Sequence, residues 1–140
     1  MNIAIIGSGL TGTLASISLA KSGCRVDLYD RLSDNELVER ERTYAITHSS
    51  RKILENLEIW SKISNNLVPF QILNVIDYGL NKTVKFHSND LHKKDRKYYA
   101  VGWIGQHNQI MPLILETISS LDNINKIPTS VIPNTNKYDL

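Results

Sequence analysis

One cysteine, four prolines and no long hydrophobic run set the first limits on this chain of 140 residues. A lone Cys24 cannot form an internal disulfide, so no disulfide framework is available, and the chain fits a reducing compartment. Cys24 stands in a turn that leads into a predicted strand, a place for a small packing residue rather than a nucleophile. No stretch approaches the ~20 apolar residues of a membrane span. The first apolar run breaks at Gly7, too soon for a secretory signal. A formal net charge of +2 is too small to argue for nucleic acid as a partner. His87 and His92 flank a loop without cysteine or paired carboxylates, so no metal site is expected. The expected location is the cytoplasm, with attachment to the inner membrane surface left open. What remains, 41% hydrophobic and 21% charged residues, describes a globular chain with one modest core rather than a disordered one.

Glycine is scarce but clustered. Four of the seven glycines lie at or before Gly23, and Gly7, Gly9 and Gly12 stand in the order G-x-G-x-x-G. Met1 to Ile6 before them reads as a fully buried strand, short and apolar on both faces. Thr11 to Ser22 reads as a helix closed by Gly23, and Arg25 to Asp30 as a second strand. Strand, turn, helix and strand make a right-handed parallel βαβ unit. In such a unit the first glycine permits the tight turn, the second the approach of a pyrophosphate, and the third close helix–strand packing. Asp30 lies about 20 residues beyond the glycines, where a carboxylate bonds both hydroxyls of an adenosine ribose. Its charge argues against a 2′-phosphate, an argument the adjacent Arg31 softens. The acid does not separate NAD from FAD, which share the adenosine half.

Downstream, "RLSDNELVERERT" reads as a surface loop. "SSRKILENLEIWSKI" reads as a helix, with Ile53, Leu57, Trp60 and Ile63 on one face and Ser49 or Ser50 as its cap. Pro69 marks a break. "ILNVIDYG" and "KTVKFHS" read as two strands joined at Gly79–Asn81, "NDLHKKDRK" as a charged, solvated loop, and "YYAVGWIG" as a strand. "IMPLILETISSL" reads as a helix that tolerates Pro112 only in its first turn. The tail reads as one strand, then a turn into a second. Trp60 and Trp103 are expected in the core. His48, Ser49 and Ser50 are expected to form a helix cap and loop rather than a catalytic cluster.

Three segments carry a family resemblance: "YDR" at the end of the second strand, "RTYAITHSSRKILENLEIW" from Arg42, and "AVGWIGQHNQIMPLILETI" from Ala100. In that order and spacing the chain resembles the FAD-dependent aromatic-ring hydroxylases of the p-hydroxybenzoate hydroxylase type, in particular the branch that hydroxylates ubiquinone precursors. The resemblance implies an α/β fold. Residues 1–70 and 98–140 would form a Rossmann-like FAD-binding domain with a parallel sheet, and residues 71–97 would begin an inserted substrate-domain sheet. It implies that Gly7, Gly9 and Gly12, with Ser8, Leu10 and Thr11 between them, bind the FAD pyrophosphate. Asp30 would hold the ribose, Arg31 would lie along the adenosine, and Arg42 and Gln106 would contact the cofactor. Asn108 departs from the basic residue common in this branch. NAD(P)H would reduce the flavin, and a flavin C4a-hydroperoxide formed with O2 would hydroxylate a small aromatic substrate. No side chain is assigned a catalytic role. The family's later glycine motifs would lie beyond residue 140, so the chain reads as the N-terminal part of such an enzyme and is expected to be inactive alone. Two other readings remain: an NAD-binding Rossmann dehydrogenase or nucleotide-sensing domain, and an inactive truncated chain.

Overall fold

The computed structural model describes residues 1–129, 131 and 133–139. The chain forms two compact units, Met1–Arg42 with His107–Leu140, and Thr43–Gln106. It begins with β1 (Asn2–Ile6), α1 (Leu10–Lys21), β2 (Arg25–Asp30) and α2 (Asp34–Val38). It then enters the second unit as β3 (Thr43–Thr47), α3 (His48–Asn56), α4 (Trp60–Ile63) and β4 (Leu67–Phe70). That unit continues through β5 (Ile72–Asp77), β6 (Lys82–His87), α5 (Lys93–Arg96) and β7 (Gly102–Gln106). The chain returns to the first unit with α6 (His107–Ser119) and β8 (Ile124–Pro128).

In the first unit β1, β2 and β8 form a parallel sheet in the order β1-β2-β8, with Asn2 opposite Arg25 and Val26 opposite Ile124. Ile17 and Ala20 of α1, Val26 and Leu28 of β2, Leu37 of α2 and Ile110, Met111, Ile114 and Ile118 of α6 make its core. The expected βαβ unit is present. β1, however, is not the fully buried strand that its apolar composition predicts. Its residues are half-exposed or exposed, and Ile6 is 68% exposed. The reason is position: β1 is an edge strand of the described sheet, paired with β2 alone.

The stretch expected to be a loop after Asp30 contains α2. Ser33 and Glu36 form a capping box: Glu36 Oε2 accepts from Ser33 N at 2.8 Å and Ser33 Oγ at 2.7 Å. These bonds hold the Glu36 carboxyl below its ordinary range. Leu37 then enters the core. Helix α6 begins earlier than predicted, so Pro112 falls in its second turn, inside the helix. The second strand expected in the tail is replaced by a 3-10 turn at Thr135–Lys137. Beyond that turn, Tyr138 donates to Asp27 Oδ2 at 2.7 Å, its hydroxyl lies 2.5 Å from that of Tyr29, and Asp139 N donates to Asn2 O at 2.9 Å. These bonds push the Tyr138 phenol above its ordinary range. Ser130, Ile132 and Leu140, on which part of that expectation falls, lie outside the described residues.

In the second unit β3, β7 and β4 form an antiparallel sheet in the order β3-β7-β4. β3 has no counterpart among the predicted elements. Pro69 lies inside β4 rather than at a break, an edge position where a missing N–H is tolerated. The long helix expected from Ser49 is divided into α3 and α4, because Glu58 takes a left-handed φ of 61°. Its cap is Thr47, whose Oγ1 accepts from Ser50 N at 3.3 Å, rather than Ser49 or Ser50. β7 starts at Gly102, later than predicted, after Tyr99 turns the chain with φ 50°, and one helical turn, α5, interrupts the expected charged loop.

The buried core of this unit is mainly aliphatic, with Leu54, Ile59 and Ile63 beside Trp103, and Trp103 anchors a cluster of rings. Trp103 is buried and Trp60 half-buried, their ring centroids 5.0 Å apart, and His48 lies 4.9 Å from Trp103. Arg51 enters this cluster, its guanidinium carbon 3.5 Å from the Tyr98 ring centroid and 4.8 Å from that of Trp60. β5 and β6 form the predicted hairpin with no third strand among the described residues. Leu73, Val75, Val84 and Phe86 share one face of it and are 42–53% exposed. Among the described residues no helix is long and apolar enough to cross a membrane.

Candidate functional site

The turn between β1 and α1 is built around two glycines, Gly7 and Gly12, where a side chain would be strained or would clash. Gly7 takes φ 100°, in the left-handed region, and its N–H donates to Tyr29 O at 2.7 Å, tying the turn to β2. A Cβ at Gly12 would stand 1.8 Å from Gly7 O, so α1 reaches the turn only without a side chain there. Gly9 is the N-cap of α1 and makes no side-chain cap bond. The start of this 12-residue helix is therefore left to its backbone N–H groups, which favour an anion. Thr13 closes the turn from behind: its Oγ1 donates to Ser8 O at 2.8 Å and its N–H to Gly9 O at 2.9 Å.

Asp30 meets this turn from the end of β2. Its Oδ2 accepts from Ser8 N at 2.6 Å and from Ser8 Oγ at 2.8 Å, and its Oδ1 accepts from Leu32 N at 3.0 Å. Burial pushes its carboxyl upward, but the bonds from Leu32 and Ser8 and the charge of Arg40 outweigh it, and the group sits below its ordinary 3.8. Asp30 is thus an anion at neutral pH. It lines two grooves. One, of about 490 Å³, also takes in Gly7, Gly9, Tyr29, Arg31, Arg40 and Thr129. The other, of about 320 Å³, takes in Ser8, Ser33, Asp34 and Lys126. Lys126 pairs with Asp34. Burial lowers its ammonium, an effect that the charge of Asp30 partly counters.

The structure brings Gly7, Gly9, Asp30 and Arg31 to one groove, with Ser8 buried beneath Asp30 and Gly12 behind the turn. Leu10 is half-buried and Thr11 exposed in the first turn of α1. Arg42 is exposed and does not line the groove; its carbonyl accepts from His107 N at 2.8 Å. Gln106 is exposed at the end of β7, in the second unit. Arg40 is the charged residue of the larger groove that sequence reasoning missed, and Tyr29 and Thr129 were missed with it. The signal for Arg40 was the S-x-x-E box at Ser33–Glu36, which turns the expected loop into a helix that leads the chain back toward Asp30. No group of three or more His, Cys, Asp or Glu that could hold a metal occurs among the described residues.

Residues 5–35 match the NAD(P)-binding Rossmann-like domain family. Over 142 residues the chain is 25% identical to the ubiquinone hydroxylase UbiM of Neisseria meningitidis, covering 99% of this chain and 31% of that protein. Over 151 residues it is 21% identical to the mitochondrial ubiquinone biosynthesis monooxygenase COQ6 of Dictyostelium discoideum, covering 99% of this chain and 30% of that one. Among solved structures it is similar to the p-nitrophenol 4-monooxygenase PnpA of Pseudomonas putida, with a TM-score of 0.66 and 18% identity over 90% of this chain and 32% of that one. The chain spans less than a third of the length of these proteins. The resemblance read from the sequence is borne out, and so is the α/β fold class with its parallel sheet.

Proposed function

We propose that this chain binds FAD through its first unit and forms the N-terminal part of a monooxygenase that hydroxylates an aromatic or phenolic ring, a ubiquinone precursor by its likeness to UbiM and COQ6. The observation that carries the reading is the Asp30 carboxylate, ionised and held against the glycine turn with both oxygens oriented by N–H donors. A dinucleotide needs this pairing: N–H groups for its phosphates beside a carboxylate for its ribose hydroxyls. The residues fit the cofactor. Gly7 to Gly12 would face the pyrophosphate, Asp30 the adenosine ribose and Arg31 the adenosine. When bound, FAD would take electrons from NAD(P)H and pass one oxygen atom of O2 to the ring. The chain's own part is to bind and orient the adenosine half. Residues 71–97 begin the substrate-domain sheet in this reading, which the uncovered apolar face of β5 and β6 supports.

Titration of the purified chain with FAD and, separately, with NAD tests the reading. FAD should bind, as read by calorimetry, and Asp30→Ala should weaken it by about tenfold or more. Binding of NAD without FAD would instead support a dehydrogenase or nucleotide-sensing domain. The 140-residue chain alone is expected not to hydroxylate a phenol.

A further inference from the structure

His107 opens α6 and is 1% exposed. Its ring Nε2 lies 2.7 Å from Leu37 O, and its backbone N–H donates to Arg42 O at 2.8 Å. A carbonyl only accepts, so Nε2 carries the proton in this contact. One residue therefore grips the chain at both ends of the segment from Leu37 to Arg42. Within that segment stands Arg40, which lines the groove beside Asp30. The near end is also anchored by the fully buried Leu37 side chain. Residues 39–42 are exposed or half-exposed and are tied locally by Glu39 N to Asn35 O and Arg42 N to Arg40 O. A segment with so few contacts of its own takes its placement from the anchors at its two ends.

We infer that His107 is a positioning residue: it holds the 37–42 segment so that Arg40 meets the anionic ligand of the groove, and ligand affinity depends on a residue that does not line the groove. The inference rests on reading the groove as an FAD site, and two measurements separate them. Hydrogen exchange at the Glu39, Arg42 and His107 amides reads the clamp without ligand, and FAD titration reads its consequence. His107→Leu removes the ring donor and should cost about tenfold in both protection and FAD affinity, the scale of one buried hydrogen bond. His107→Gln, whose side-chain N–H reaches the same carbonyl, should retain both within about threefold. Once Arg40→Ala is present, His107→Leu should weaken FAD binding little further, because the two act through one group. Wild-type protection in His107→Leu overturns the clamp, and additive losses overturn its action through Arg40. Arg40→Ala alone alters a half-exposed side chain and must weaken FAD binding. If it does not, the inference falls even where the leucine variant fails to fold. A wild-type chain that binds no FAD overturns the parent reading, while hydrogen exchange still decides the clamp.

Discussion

Asp30 and Arg51 are both partly buried charges, and the protein holds them by opposite means. Asp30 is held by directional donors, two N–H groups and a hydroxyl, and it lines two grooves. Arg51 is held on its faces: Tyr98, Trp60 and Trp103 lie 3.5, 4.8 and 5.2 Å from its guanidinium carbon, and Glu55 pairs with its edge at 2.7 Å. A carboxylate fixed by a few N–H bonds keeps lone pairs for a ligand. A guanidinium covered by rings has given its surface to packing. The comparison separates a charge placed for binding from a charge placed for stability.

The largest way to break that contrast is Gly12→Val, because the turn that holds Asp30 exists only while α1 approaches Gly7 O. Loss of about 3 kcal/mol or more is expected, read as a lowered denaturation midpoint together with lost FAD binding. Arg51→Ala should come next, at about 2 kcal/mol, by removing contacts to three rings and leaving Glu55 unpaired. Arg51→Lys should recover only part of that loss, since an ammonium neither stacks nor forks. Equal stability of the lysine variant and wild type would sink the stacking account.

Asp30→Asn should have a smaller effect on stability, about 1 kcal/mol, because the amide loses the charge assistance of its bonds to Ser8 and Leu32. Smallest is its pH signature. The folded carboxyl lies below its unfolded value, so its contribution is complete above the ordinary carboxylate range and fades as pH falls through the folded value. Denaturation midpoints from about pH 6 to about pH 3 should fall less steeply in Asp30→Asn than in wild type.

Legibility in the sequence followed locality. The glycine turn, α1, β2 and Asp30 stand within 30 residues, and each has a spacing rule that owes nothing to distant chain. The β5–β6 hairpin was equally local. Arg40 escaped because its approach to the groove depends on α2, and α2 on a capping box that a polar composition hides. The divided helix escaped because Leu57 and Ile63 keep their apolar spacing across a left-handed Glu58 that no residue type announces. His107 carried no signal, since its partners Leu37 and Arg42 lie far back along the chain.

By itself the sequence determined the phosphate-binding turn, because Gly7 must reach a positive φ and Gly12 must lack a Cβ, and these are properties of single residues. It also determined the acid that meets the turn, because β-strand length sets where Asp30 emerges. Only the tertiary structure decided that β1 is an edge strand among the described residues, that Tyr98, Trp60 and Trp103 surround an arginine, and that His107 holds the segment of Arg40. Each of these is a pairing between residues far apart in the chain, and such pairings depend on which surfaces meet once the backbone is closed rather than on the preference of any one residue.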